Sequence, residues 1–317
     1  MRRRAPAAPP IRIRSVLVPL DGSPFAEQAL PWAAAIAGAA RARLRLTLVH
    51  QSPSPPPLDA ATGRLYTRIE LSLRKVQREY LAKVADEVRR EHGVQVAKVT
   101  LQGNPAPALA RYVGEMDPEI VVMTTHGAGG IRRAWLGSVA DQLVRSLEIP
   151  MLIIRPREAD QVPAGVAALQ EILVALDGSR RAEAALPPAA TLALLLRAKL
   201  ALVRVVQPVV PFTDPVRPFP LGFDEELTRL SRAEAQDYLD DVAEWLNAAG
   251  VPASAAAVVG SSAFGAIQDA ARAPGTGIIA LATRGRGGLP RMVLGSVADK
   301  LVRGGELPVL VTRPKGR

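Results

Sequence analysis

The residues best placed to do chemistry in this chain are glycines, and they come in duplicate. Thr125-His126-Gly127, nine residues, then Gly137-Ser138-Val139-Ala140-Asp141 returns as Thr283-Arg284-Gly285, nine residues, then Gly295-Ser296-Val297-Ala298-Asp299. Glycines ahead of a helix let a backbone approach a phosphate, and the open N–H groups and positive dipole end of the helix favour an anion there. Arg132 and Arg133 in one copy, and Arg286 and Arg291 in the other, add positive potential to the same segment. Ser138 and Ser296 are each followed three residues later by an acid, the spacing of a capping box, so they read as helix caps that also have a hydroxyl to offer a phosphate. A nucleophilic serine is disfavoured because no histidine recurs in the second copy to activate it.

A second duplicated group is Leu20-Asp21-Gly22-Ser23 and Leu176-Asp177-Gly178-Ser179. Asp is common at turns, yet a carboxylate at a strand end also accepts hydrogen bonds from adenine or ribose donors. His126 aligns with Arg284. A phosphate donor fits both residue types and a catalytic base fits only one.

These groups need an architecture to bring them together. The glycine segments lie 158 residues apart in a chain of 317, which predicts two copies of one domain. In the first copy the pattern predicts strands at 15–20, 44–49, 94–101, 120–123 and 151–154, with helices at 25–40, 65–91, 107–116 and 139–147. The apolar face of the long helix runs through Leu65, Ile69, Leu73, Val76, Tyr80, Val84 and Val88. The second copy predicts strands at 171–176, 199–206, 253–259, 277–281 and 308–312, with helices at 181–197, 225–249, 263–272 and 297–303. Residues 1–14 form a basic tail, 15–156 and 171–313 the two domains, and 157–170 the linker. The fold class is therefore α/β: two tandem doubly wound open sheets of five mostly parallel strands, order 3-2-1-4-5, flanked by helices in a Rossmann-like manner. That order sets Asp21 and the glycine segment at one carboxyl-end crevice.

Composition excludes several functions. There are no cysteines, hence no disulfides, thiolate metal sites or Cys nucleophiles, and the three histidines all lie in the first half. The net charge of +10 is concentrated at the ends: residues 1–14 and 313–317 carry eight Lys/Arg and no acids, leaving 32 basic against 30 acidic residues in the body. A nearly neutral body argues against specific nucleic-acid binding. No apolar run is long enough to span a bilayer and no signal peptide is evident, so the expected location is cytoplasmic.

The strand-Asp-Gly-Ser opening, the long second helix and the Gly-x9-Gly-Ser segment together resemble the universal stress protein family, twice over nearly the whole chain. In its ATP-binding branch the segment is Gly-x2-Gly-x9-Gly-[Ser/Thr]. Gly127 and Gly285 match the second glycine, and Gly137-Ser138 and Gly295-Ser296 the closing pair. The first glycine is replaced by Thr124 and Ala282. A Cβ there narrows the approach, more for threonine, which makes the second copy the better ATP site. The resemblance implies that Pro19, Leu20, Asp21 and Val49 line one adenine and ribose pocket, with Met123 flanking it and Thr124 and Val139 among the nucleotide-binding residues. It gives Ala175, Leu176, Asp177 and Val205 the lining of the other, with Leu281 flanking it and Ala282 and Val297 among the nucleotide-binding residues. It further implies ATP, with or without Mg2+, as ligand, and domain pairing through the last strands, Met151 to Ile154 and Val309 to Thr312, as an internal pseudo-dimer or in a homodimer.

The function expected is a nucleotide-dependent stress sensor or regulator, hydrolysing ATP slowly at most, since no Gly-x4-Gly-Lys-[Ser/Thr] loop and no paired-carboxylate magnesium site occur. The alternatives are a scaffold that binds a protein partner without nucleotide and, more distantly, an adenylating ligase. Gln207 to Phe223, with five prolines and three phenylalanines, is expected to cover the second pocket.

Overall fold

In the computed structural model, the described residues are 10–52, 60–126, 136–156, 166–209, 224–283 and 294–314. The chain divides into two compact units, one spanning Arg12–Val166 and the other Ala167 onward together with Ile11. Each has its own five strands and its own core.

The first unit runs β1 (Ser15–Leu20), α1 (Pro24–Glu27), α2 (Leu30–Ala40), β2 (Arg43–His50), α3 (Ala60–His92), β3 (Val96–Gln102), α4 (Pro105–Met116), β4 (Ile120–Thr124), α5 (Ser138–Ser146) and β5 (Met151–Ile154). Its strands lie in the order β3-β2-β1-β4-β5, all parallel, with Val16 opposite both Leu44 and Ile120. Val16, Leu17 and Val18 in the central strand are fully buried, as are Val121 and Val122 beside them. Apolar residues on both faces of a strand are what helices covering both sides of a parallel sheet require.

The second unit repeats this plan with β6 (Glu171–Ala175), a 3-10 turn (Ala182–Ala185), α6 (Leu186–Leu196), β7 (Lys199–Val206), α7 (Glu225–Ala248), β8 (Ala253–Val259), α8 (Ala263–Ala271), β9 (Thr276–Ala282), α9 (Ser296–Gly304) and β10 (Val309–Thr312). The order is β8-β7-β6-β9-β10, again all parallel. Strand order in both sheets is the predicted 3-2-1-4-5. Successive crossovers run outward from β1 in one direction, then from β4 in the other, so a crevice opens at the carboxyl ends of β1 and β4, and likewise of β6 and β9.

Three sequence expectations need correction. The helix expected over 25–40 is two helices, and the one over 181–197 is a 3-10 turn followed by α6. Proline is the cause: Pro31 and Pro187 sit in the first turn of α2 and α6, where a ring with no N–H is tolerated, and would break a longer helix. The apolar face of α3 is buried only from Leu81 onward, while Leu65, Ile69, Leu73 and Val76 are exposed. Finally, the basic tail is shorter than 1–14. Ile13 is buried, and the Arg14 and Ser15 N–H groups both donate to Glu119 Oε2.

Candidate functional site

At the end of β1 the chain turns through Asp21-Gly22-Ser23. Asp21 Oδ1 accepts from the Ser23 N–H (3.0 Å) and Oγ (2.6 Å), and Ser23 Oγ in turn accepts from the Ala26 N–H to cap α1. The second unit does the same: Asp177 Oδ1 accepts from the Ser179 N–H at 2.9 Å, and Ser179 Oγ accepts from the Ala182 N–H. Gly22 and Gly178 have φ of 88° and 79°, the left-handed region that makes glycine the fitting residue. The aspartates thus shape the loop, as a turn residue does, with Asp21 exposed at the crevice mouth and Asp177 half-exposed.

The glycine at the start of α5 has a structural duty. A Cβ on Gly137 would lie 2.7 Å from the Thr125 carbonyl oxygen, and one on Gly295 2.8 Å from that of Thr283. In each case the glycine N–H donates to that same oxygen, at 2.8 and 2.7 Å. The helix start is thereby stitched to the carboxyl end of β4 or β9. This corrects two expectations. Gly137 and Gly295 do not offer their N–H groups to a ligand, because the strand end takes them. They are also the residues in the cap position, and neither Ser138 nor Ser296 makes a capping hydrogen bond among the described residues. Both serines are the first helical residue, which points their hydroxyls outward, exposed.

What the helix start still presents are the next three donors. The first helical bonds run from Asp141 N–H to Gly137 C=O and from Asp299 N–H to Gly295 C=O. The N–H groups of Ser138, Val139 and Ala140, and of Ser296, Val297 and Ala298, precede that ladder. Asp141 and Asp299 are not capping partners; they pair with Arg145 and Arg303 one turn on, each at 2.8 Å.

The two strand ends differ. Thr124 is buried and its Oγ1 donates to the His126 carbonyl at 2.7 Å, while Thr125 Oγ1 lies 2.9 Å from His126 Nδ1. The position equivalent to Thr124 holds Ala282, and Thr283 Oγ1 is buried with no hydrogen-bond partner among the described residues. Burial, with the positive charge of Arg155, pushes the His126 pKa below its ordinary value and so favours the neutral ring. Its Nε2 is also buried without a partner among the described residues.

Pro19 and Leu20 stand at the end of β1, Val49 at the end of β2 and Met123 at the end of β4; Ala175, Leu176, Val205 and Leu281 occupy the matching ends in the second sheet. Leu20, Met123, Leu176 and Leu281 are buried. The structure therefore gathers these residues at the carboxyl edges of two sheets. Gly127 and Gly285, the four arginines of the segments, and Val210 to Phe223 of the proline-rich stretch lie outside the described residues.

Sequence reading missed a third duplicated pair. Tyr80 Oη on α3 donates to Glu27 Oε1 at 2.9 Å, and Tyr238 Oη on α7 donates to Glu183 Oε1 at 3.1 Å. The signal was available, since Glu27 and Glu183, and Tyr80 and Tyr238, recur with the same near-158 spacing. Burial, then the Glu27 carboxylate and Asp21, raise the Tyr80 pKa; burial, Glu183 and Asp177 raise that of Tyr238, opposed by Arg204 over its ring. The copies diverge again at His50. This fully buried residue meets Gln77 Oε1 (2.7 Å) and Glu70 Oε1 (2.8 Å) under α3, where the second unit has Val206. Among the described residues no three His, Asp or Glu side chains converge as metal ligands, and no helix is long and apolar enough to cross a membrane.

Residues 12–155 and 169–313 each match the Universal stress protein family. A universal stress protein of Mycobacterium tuberculosis strain H37Rv is 29% identical over 310 residues, 96% of this chain and 98% of its own length. The single-domain universal stress protein YxiE of Bacillus subtilis is 31% identical over 145 residues, 44% of this chain and 97% of its own. Among solved structures, a universal stress protein from Archaeoglobus fulgidus superposes with a TM-score of 0.68 at 19% identity, covering 96% of this chain and 99% of that one. Two matched halves, each with five parallel strands in the same order, make this chain a tandem member of the universal stress protein family.

Proposed function

We propose that the chain binds adenine nucleotide, ATP in the first instance, at the carboxyl-end crevice of the second unit and more weakly at that of the first, and acts as a stress-response regulator. The observation that carries this reading is the duplicated helix start. Three backbone N–H groups outside the helical ladder stand beside the end of β4 or β9, across the crevice from an aspartate-turn loop. Phosphate oxygens match such donors and the positive dipole end behind them. Asp21 and Asp177 are placed to accept from ribose or base, and the buried apolar strand ends supply a floor for an adenine ring. Mg2+ would travel on the phosphates.

Phosphoryl transfer is not part of this proposal beyond slow hydrolysis. His126 follows the end of β4, and its place in the second copy is taken by Arg284, as that of His50 is by Val206, so no histidine base is duplicated. In the first unit Thr124 favours a second reading, a partner-binding scaffold without nucleotide, because its side chain fills the position where the family's ATP-binding branch has glycine.

Purified protein is denatured and released nucleotide identified by mass spectrometry, and ATP is then titrated into nucleotide-free protein by calorimetry. Bound adenine nucleotide, or a dissociation constant in the millimolar range or below, is expected. Neither signal appearing overturns the proposal. Ser296→Glu, which sets a carboxylate at the exposed first helical position without crowding the Thr283 carbonyl, is expected to abolish binding in the second unit and to leave partner capture intact under the scaffold reading.

A further inference from the structure

Helices α3 and α7 hold equivalent places in the two units and are built with opposite surfaces. At 33 residues α3 is roughly 50 Å long, against about 26 Å for the eight-residue strand β2 it returns beside, so its first half overhangs. That half exposes Leu65 (58%), Ile69 (45%), Leu73 (40%) and Val76 (61%). At about 100° per residue these four fall within an arc of about 80°. Residues 60–78 carry five basic side chains, Arg64, Arg68, Arg74, Lys75 and Arg78, against Glu70 alone, a balance of +4.

In α7 the sign is reversed. Residues 225–248 hold seven acids and two arginines, a balance of −5. Glu226, Leu230, Glu234, Asp237 and Asp241 share an arc of about 80° on the outward side, all exposed, and Leu227 beside them is exposed as well. Exposed leucines framed by acids on one helix, and exposed aliphatics framed by bases on another, are complementary in both apolar character and charge.

We infer that the occupant of the α3 overhang is a second copy of this chain, seated through the acidic face of its α7. The contact uses the outward faces of the two helices, and its inference does not rest on nucleotide binding. Opposite charges steer and register the pair while the leucines and Val76 are shielded from water.

Sedimentation velocity of the full chain, over a dilution series at low and high salt, tests this. Self-association is expected, weakening about ten-fold between about 50 and 500 mM salt as the charges are screened. Arg64→Glu/Arg68→Glu/Lys75→Glu makes both helices acidic, and Glu234→Lys/Asp237→Lys/Asp241→Lys makes both basic. Each variant alone is expected to be monomeric with an unchanged circular dichroism spectrum, whereas an equimolar mixture of the two regains association, since each then meets a complementary helix. A wild-type chain that stays monomeric overturns the inference. So does association indifferent to salt and to both reversals, a mixture that stays apart, or a monomer that instead binds anionic phosphatidylglycerol vesicles through α3.

Discussion

At the scale of single residues, Gly137 and Gly295 are held by contact with a carbonyl oxygen and not by backbone conformation. Their φ and ψ, −58° and 146° in one and −57° and 146° in the other, are open to any residue, so the cost of a side chain there is steric. Gly295→Ala is expected to destabilise the second unit by about 1–3 kcal/mol, the usual range for overpacking against atoms that cannot withdraw, and Gly137→Ala the first by a similar amount. Ser138→Ala is expected to change stability by less than about 0.5 kcal/mol, since an exposed first-turn hydroxyl with no capping bond contributes little. Chemical denaturation of the three variants checks both statements. A loss near 1 kcal/mol for Ser138→Ala, the ordinary cost of deleting a true cap, would restore the capping-box reading that the structure rejects.

Among the elements, α3 is tied to α1, and α7 to the 3-10 turn after β6, each by one phenol. In both ties burial and a carboxylate hold the tyrosine pKa above its ordinary value of 10.0. The folded state therefore binds the phenolic proton more tightly than the unfolded chain does. That contribution is complete below about pH 10 and is lost as the pH climbs through and beyond it. Tyr80→Phe/Tyr238→Phe should cost about 1–3 kcal/mol per site at neutral pH, the range for a hydrogen bond to a charged group. The variant should also unfold with a shallower pH dependence than wild type between pH 10 and 12. Parallel alkaline profiles, followed by circular dichroism, would count against the ties. Elements were largely legible in the sequence because parallel strands are short apolar runs punctuated by Asp-Gly or Gly-Ser. What periodicity could not show was where a helix loses its cover: Leu65 and Val84 obey one stripe, yet only the second lies over the sheet. Nor could it reveal the hydrogen bonds between α3 and α1, since Tyr80 and Glu27 are 53 residues apart.

For the molecule as a whole, duplication supplies two crevices that share a plan and differ in detail. Thr124, with its hydroxyl locked to the His126 carbonyl, has Ala282 as its counterpart in the sequence of the second copy, and His126 has Arg284. The sequence made the repeat and the strand order legible. It misassigned the donors, because a glycine before a helix looks the same whether its N–H is open or spoken for by a neighbouring strand. A ligand that prefers one crevice stabilises that half of the chain selectively, by about 2.7 kcal/mol at a hundred times its dissociation constant. Scanning calorimetry with saturating ATP is expected to move the transition of the second unit further than that of the first, and Ser296→Glu should abolish the larger shift. A single transition moving as one would show that the halves respond together.

The stitch between the helix start and the strand end also bears on how such sequences are surveyed. Because the crossing of two backbones alone excludes a side chain at positions 137 and 295, a descendant that had stopped binding any ligand would still be compelled to keep both glycines. Their presence reports an intact fold, and a survey that counts them as marks of nucleotide binding will over-count. Position 124, with its equivalent at 282, is under no such compulsion: threonine and alanine both fit there, and so the residue found at that place is free to register whether the crevice is still in use.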